Sequence, residues 1–302
     1  MVAGLFAFEP LETWVLLVYS LKLKPTTEIT SILNLPSWRL IDTGPLRGPE
    51  NMAIDEALLN SFNKNSSNPI LRIYGWNPPS LSLGRFQKAA DVLDLERCGT
   101  DLLPIIRRIS GGGVIYHADE LTYSIVCSPE HVSSVSSVKE SFRILTGFLI
   151  DFYHSLGLTA SYALDSVSCV EPLGIRTAFC FAGKESFDIV IDGKKIGGNA
   201  QRRSKNVIFQ HGSVPIANHA LTGLMYMTDR SPKHAQGTTS LLDCGISTAP
   251  SQLKIMLVEA FKCRMAAEVF DCRLSSDEQQ VSQLLLTEKY TTDRWNLQGE
   301  VE

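Results

Sequence analysis

The chain has 302 residues, 44% of them hydrophobic, enough for one large domain or two ordinary ones around a real buried core. Its 28 Lys and Arg against 32 Asp and Glu give a net charge of −4, so no polybasic field points to nucleic acid or an anionic membrane as the main partner. Seven cysteines, an odd number with no Cys-x-x-Cys pair, argue against a disulfide framework and a zinc knuckle, and make a reducing cytoplasm the simplest home.

Leu5 to Leu23 is rich in apolar residues, but Glu9, Pro10 and Glu12 interrupt it. The run from Thr13 to Leu21 is far short of the roughly 20 residues that a spanning helix needs. Neither a basic n-region nor a small-residue cleavage site marks a secretory signal. Residues 1–35 read as a loosely attached extension and 36–302 as a single domain, with a sheet core over about 36–249 and helices over 250–302.

Trp38 to Ile41 has the look of a first strand, with turns at Gly44-Pro45 and Gly48-Pro49. Met52, Ile54, Ala57, Leu58 and Phe62 then fall at helical spacing, with Asp55 and Glu56 on the other face. Ile70 to Trp76 alternates as a strand, Pro78-Pro79 breaks it, and Leu81 to Gly84 starts another. Asp91 to Cys98 fits a short helix and Leu102 to Ile106 a buried strand, before an abrupt Ser110-Gly111-Gly112-Gly113 loop. Leu121 to Val126 returns as a strand, and Lys139 to Leu156 carries the apolar stripe of a helix packed on a sheet. Phe187 to Ile191 alternates again, Asp192-Gly193 is the strongest two-residue hairpin signal, and Lys194 and Lys195 open the returning arm. Glycines at 197 and 198 weaken that arm and indicate a bulge or a close approach to the backbone. Val207 to Gly212 makes a further strand, after which helical spacing dominates from Ser251 to Phe270 and from Asp277 to Tyr290.

Two stretches carry residues suited to chemistry. Arg107-Arg108-Ile109-Ser110-Gly111-Gly112-Gly113 offers two guanidinium groups and a backbone that a carbonyl, carboxylate or phosphate can approach. It matches neither the dinucleotide nor the P-loop pattern, and a plain turn is the competing reading. Cys180 precedes the hairpin that bears Lys195. A cysteine becomes a useful nucleophile when a nearby cation favours its thiolate, and Lys195 is the candidate cation. If the chain ran straight, Cys180 would lie about ten residues, roughly 33 Å, from the position opposite Lys195. The chain must therefore turn back, and Ala182-Gly183 is the place for it. Against this stands a bland reading: solvated lysines on a surface hairpin, structural histidines at 117 and 211, and inert core thiols at the other cysteines.

Taken together, several segments resemble the lipoate-protein ligase and octanoyltransferase superfamily, and most closely its cysteine-containing octanoyltransferases acting on the glycine-cleavage H protein. They are Asn51 to Leu59, Leu71 to Gln87, Arg107 to His117, Lys194 to Gln201, Gln210-His211-Gly212, and Lys289-Tyr290 with Trp295-Asn296. The resemblance implies an α+β fold of the class II synthetase and biotin/lipoate ligase type, a mixed, largely antiparallel sheet packed with helices. It also implies catalytic roles for Cys180 and Lys195, which stand fifteen positions apart. By the same resemblance the loop from Arg107 to His117 binds substrate through Arg108, Gly111, Gly112, Gly113, Tyr116 and His117. The implied reaction is transfer of octanoyl from acyl carrier protein, through a Cys180 thioester, to a lysine of the H protein or another lipoyl domain. It uses no cofactor or metal and involves no nucleic acid or membrane. The Ser-Gly-Gly-Gly loop is, however, closer to the ATP-dependent ligases, in which Lys195 would act without a covalent cysteine. Ligases of bacterial type carry a further small domain beyond the Trp-Asn element, whereas six residues follow Asn296 here. An inactive homologue that only binds acyl carriers is disfavoured by the presence of both Cys180 and Lys195.

Overall fold

The computed structural model describes residues 35–132, 137–168, 173–174, 177–180 and 183–300. A six-stranded mixed sheet forms the centre, in the order β10-β11-β6-β2-β1-β13. The strands are β1 (Ser37–Leu46), β2 (Ile70–Trp76), β6 (Glu120–Cys127), β10 (Asn199–Arg203), β11 (Ile208–Pro215) and β13 (Glu268–Asp271). β1 pairs in parallel with β2 and β13, while the β2–β6, β6–β11 and β11–β10 pairings are antiparallel. Two smaller sheets flank it: β4-β3-β5, built from β3 (Ser80–Leu83), β4 (Ile105–Arg107) and β5 (Ile115–His117), and β12-β9-β8-β7. The latter is built from β7 (Ala160–Tyr162), β8 (Ile189–Ile191), β9 (Lys194–Ile196) and β12 (Thr238–Thr239).

Helix α1 (Gly48–Ser61) packs on one face of the central sheet. Helices α2 (Val138–Ser155) and α3 (Pro250–Met265) pack on the other, where Phe148 meets Tyr123 and Phe261 edge to face. The α2 stripe read from the sequence is the buried one: Leu145, Phe148, Leu149 and Phe152 are sealed, and Ser137 caps the helix by accepting from the Glu140 amide. No helix among the described residues is long and apolar enough to cross a membrane.

Four expectations change. Leu102 has φ of 50° and is exposed, so the strand expected from it begins only at Ile105. The single helix expected at 91–98 is two short ones, Ala89–Val92 and Leu95–Thr100. The helical pattern from 251 ends at Met265, because Ala266 turns left-handed and releases Glu268–Asp271 to pair with β1. Asp55 does not face solvent; it is buried and bonded to Arg72 at 2.7 Å, since α1 is covered on nearly every side.

Candidate active site

Cys180 is laid beside the glycine loop by backbone bonding. Val114 donates to the Ala178 carbonyl at 2.8 Å, and Cys180 donates back to the Val114 carbonyl at 2.9 Å. Gly113 permits this approach, because a β-carbon there would stand 2.7 Å from the Cys180 nitrogen. On its far side the thiol faces Gly198, so the close approach expected at the paired glycines is made by the cysteine itself.

The hairpin forms where expected. Asp192 and Gly193 adopt φ of 49° and 74°, as a primed two-residue turn requires, and Val190 pairs with Lys195. Lys195 is not solvated but 3% exposed. Its Nζ donates to Asp188 Oδ2 at 2.6 Å, to the Cys180 carbonyl at 3.0 Å and to the Gly183 carbonyl at 3.2 Å. Ala182 lies outside the described residues, but Cys180 and Gly183 are held by the same ammonium, so the chain does turn back. Burial acts to lower the Lys195 pKa, yet its neighbours Cys180 and Asp188 outweigh it and raise the value above the ordinary one. Lys195 is therefore a fixed cation.

The two arginines of the glycine loop divide their work. Arg107 is fully buried and donates to five backbone carbonyls: Gly84 at 3.0 Å, Arg85 at 3.2 Å, Gln87 at 2.6 Å, Trp295 at 2.9 Å and Leu297 at 3.0 Å. It joins two segments of the chain. Arg108 gathers the loop, donating to the Gly111 and Gly113 carbonyls at 2.9 and 2.7 Å and to both Ser82 oxygens at 3.0 Å. Burial pushes its pKa down to about 10 against the pull of Cys180, and its Nε is buried without a partner among the described residues.

Cys180 stands where two cavities meet. One is a narrow slot running inward past Ile115, His117 and His211 to Trp76, Tyr74 and Met52. Its polar side chains are turned on one another: His117 stacks on Trp76 at 3.9 Å and bonds Glu120 and Ser82, each at 2.8 Å. His211 Nε2 lies 2.6 Å from Ser110 Oγ and its Nδ1 3.8 Å from Asp55. Burial holds His211 below the ordinary histidine pKa despite the pull of Asp55. What remains facing the slot is largely carbon. The second cavity is a wide basin lined by Phe86, Gly111–Gly113, Cys180, Glu185, Asp188 and Lys195.

Of the residues singled out in the sequence, Cys180, Gly111 and Gly112 border both cavities, Arg108 and His117 the slot, and Lys195 and Gly113 the basin. Tyr116 does not join them. On β5 it points to the side opposite Ile115 and His117, stacks with Tyr226 at 6.1 Å, and lines a separate small cavity. Sequence reasoning passed over Met52, Trp76, His211 as a slot residue, and Glu185. Among the described residues no cluster of His, Cys, Asp and Glu is arranged to hold a metal.

The family model described as the lipoyl protein ligase A/B catalytic domain matches residues 47–270. Among curated relatives, Octanoyltransferase LipM of Halalkalibacterium halodurans is 32% identical over 275 residues, covering 87% of this chain and 99% of the relative. Octanoyltransferase LipM of Bacillus subtilis is 30% identical over 274 residues, covering 86% and 98%. Among solved structures, lipoate-protein ligase A bound with ATP matches with a TM-score of 0.72 at 23% identity, over 87% of this chain and 99% of that one. The bi-partite lipoate protein ligase of Thermoplasma acidophilum matches with a TM-score of 0.72 at 22% identity, over 89% and 99%. The α+β fold expected from the sequence is thus the fold these ligases share.

Proposed function

The chain belongs to the lipoyl protein ligase A/B catalytic domain family, and on that premise we propose that it is an octanoyltransferase of protein lipoylation working through a Cys180 thioester. The observation that carries this reading is the shared basin: the Cys180 thiol stands at its junction with an apolar slot, while Lys195 and Gly111–Gly113 line the same basin. A ligase has no need of a cysteine there.

The donor is octanoyl acyl carrier protein, whose chain enters the slot. The Cys180 thiolate attacks the thioester carbonyl carbon, the bond to the carrier's sulfur breaks, and that sulfur leaves and takes up a proton. The octanoyl group is then held on Sγ. The acceptor is the glycine-cleavage H protein or another lipoyl-domain protein, whose lysine, as neutral amine, attacks the same carbonyl. The nitrogen sheds a proton to solvent as the new amide forms, the bond to Sγ breaks, and the thiolate is restored. Lys195 favours the thiolate as a fixed cation, and amides of Gly111–Gly113 meet the negative oxygen of each tetrahedral intermediate. The described cysteines are all unbridged, in keeping with a reducing cytoplasm.

The test is to mix the protein with octanoyl acyl carrier protein in the absence of ATP and measure intact mass. One octanoyl group should be gained, lost on Cys180→Ala, and discharged when lipoyl domain is added. Lipoyl or octanoyl transfer that requires ATP, with no mass gain on the enzyme, would sink the reading.

A further inference from the structure

A protein lysine reaches the basin as an ammonium, because its ordinary pKa of about 10.4 lies far above neutral pH. There it meets another ammonium, Lys195, held as a cation by three acceptors. Like charges brought close together repel, so the basin must offset the charge of what it receives. Asp188 is not available for this. It is buried, and its Oδ2 is engaged by Lys195 at 2.6 Å and by the Glu185 amide at 2.8 Å. His117 and His211 border the slot rather than the basin, and their ring nitrogens face Glu120 and Ser82, and Ser110 and Asp55.

Among the described residues Glu185 is the remaining acid of the basin. It lines the same cavity as Cys180 and Lys195, it is exposed, and its carboxylate pairs with no cation among the described residues. Its backbone is fixed by a tight turn: Glu185 donates to Asp188 Oδ2 at 2.8 Å, and Asp188 donates back to the Glu185 carbonyl at 3.0 Å. The open carboxylate and the buried cation therefore hang from one anchor, Asp188. Once Cys180 is acylated its sulfur carries no charge, Asp188 is paired with Lys195, and among the described residues of the basin Glu185 is the carboxylate left without an ion-pair partner.

We propose that Glu185 receives the ε-ammonium of the acceptor protein's lysine at the mouth of the basin and orients it toward the acylated Cys180. The assignment rests on the octanoyl-transfer reading above and deepens it by naming the group that selects a cationic nucleophile. The proton that the lysine sheds before it attacks passes to solvent through the open basin.

To test this, octanoyl-enzyme is prepared from wild type and from Glu185→Gln, and each is offered lipoyl domain or hydroxylamine, a small nucleophile that is uncharged near neutral pH. With lipoyl domain, kcat/KM should fall roughly tenfold in Glu185→Gln, mainly through KM, with Glu185→Asp in between. The wild-type rate should also drop with added salt more steeply than that of the variant. Hydroxylamine should discharge both octanoyl-enzymes at the same rate. An unchanged KM for lipoyl domain overturns the proposal, and so does an equal loss with both nucleophiles, which would mark Glu185 as merely structural. If wild type forms no octanoyl-enzyme, the parent reading fails and this one goes with it.

Discussion

The Cys180 sulfur rests on the bare α-carbon of Gly198, at a point where a β-carbon would stand 3.2 Å from it. That spacing is tighter than ordinary packing, and Ile115 lies 3.6 Å from the same spot. Gly198→Ala should therefore push the thiol out of line with little effect on folding. Acylation of Cys180 by an octanoyl thioester is expected to slow by roughly tenfold or more, since small misplacements of reacting atoms are costly. Thermal unfolding of the same variant provides the control.

Lys195 and Asp188 form a buried pair, 3% and 6% exposed at their side chains. Lys195→Met leaves the carboxylate alone in the interior and should cost about 3–5 kcal/mol of stability. In Lys195→Met/Asp188→Asn no charge is stranded, and most of that loss should return. Neither variant should acylate at the wild-type rate. Urea unfolding followed beside the mass assay separates the two effects.

His211 and His131 are both held below the ordinary histidine pKa, in each case chiefly by burial. The unfolded chain then binds protons at a pH where the folded chain does not. Their contribution to stability is fully present above about pH 6.5 and declines as the pH falls from there toward the folded values. The slope is at most about 1.4 kcal/mol per pH unit for each histidine. Urea midpoints between about pH 8 and pH 5 should fall on acidification, and His131→Gln should flatten the curve.

Burial raises the thiol of Cys98 to about 11 and that of Cys127 to about 12. Both should resist alkylation in the native protein at neutral pH and react only on unfolding. Cys180, at the junction of two cavities, should react in the native state. Peptide mapping after a timed exposure to iodoacetamide checks the order.

Much of the site was legible because it lies in local chemistry. Asp192-Gly193 specifies its own turn, and the glycine loop and Lys195 sit in continuous stretches that carry the family resemblance. What could not be read was pairing across the chain. Asp55 followed the polar face of a helical pattern, and only the placing of Arg72 beside it makes its burial tolerable. The end of α3 was hidden because the left-handed residue there is Ala266 rather than a glycine, and Glu268–Asp271 gains its strand character from β1 alone. Tyr116 and His117 are neighbours in sequence, yet strand alternation sends them to different cavities.

Arg107 holds Gly84, Arg85 and Gln87 with one set of bonds and Trp295 and Leu297 with another, across a separation of 188 residues to Trp295. During synthesis, then, the strand that leads into the glycine loop lacks part of its support until Trp295 and Leu297 have left the ribosome. A loop whose fastener lies so far along the chain stays uncommitted while the strands encoded before it pair.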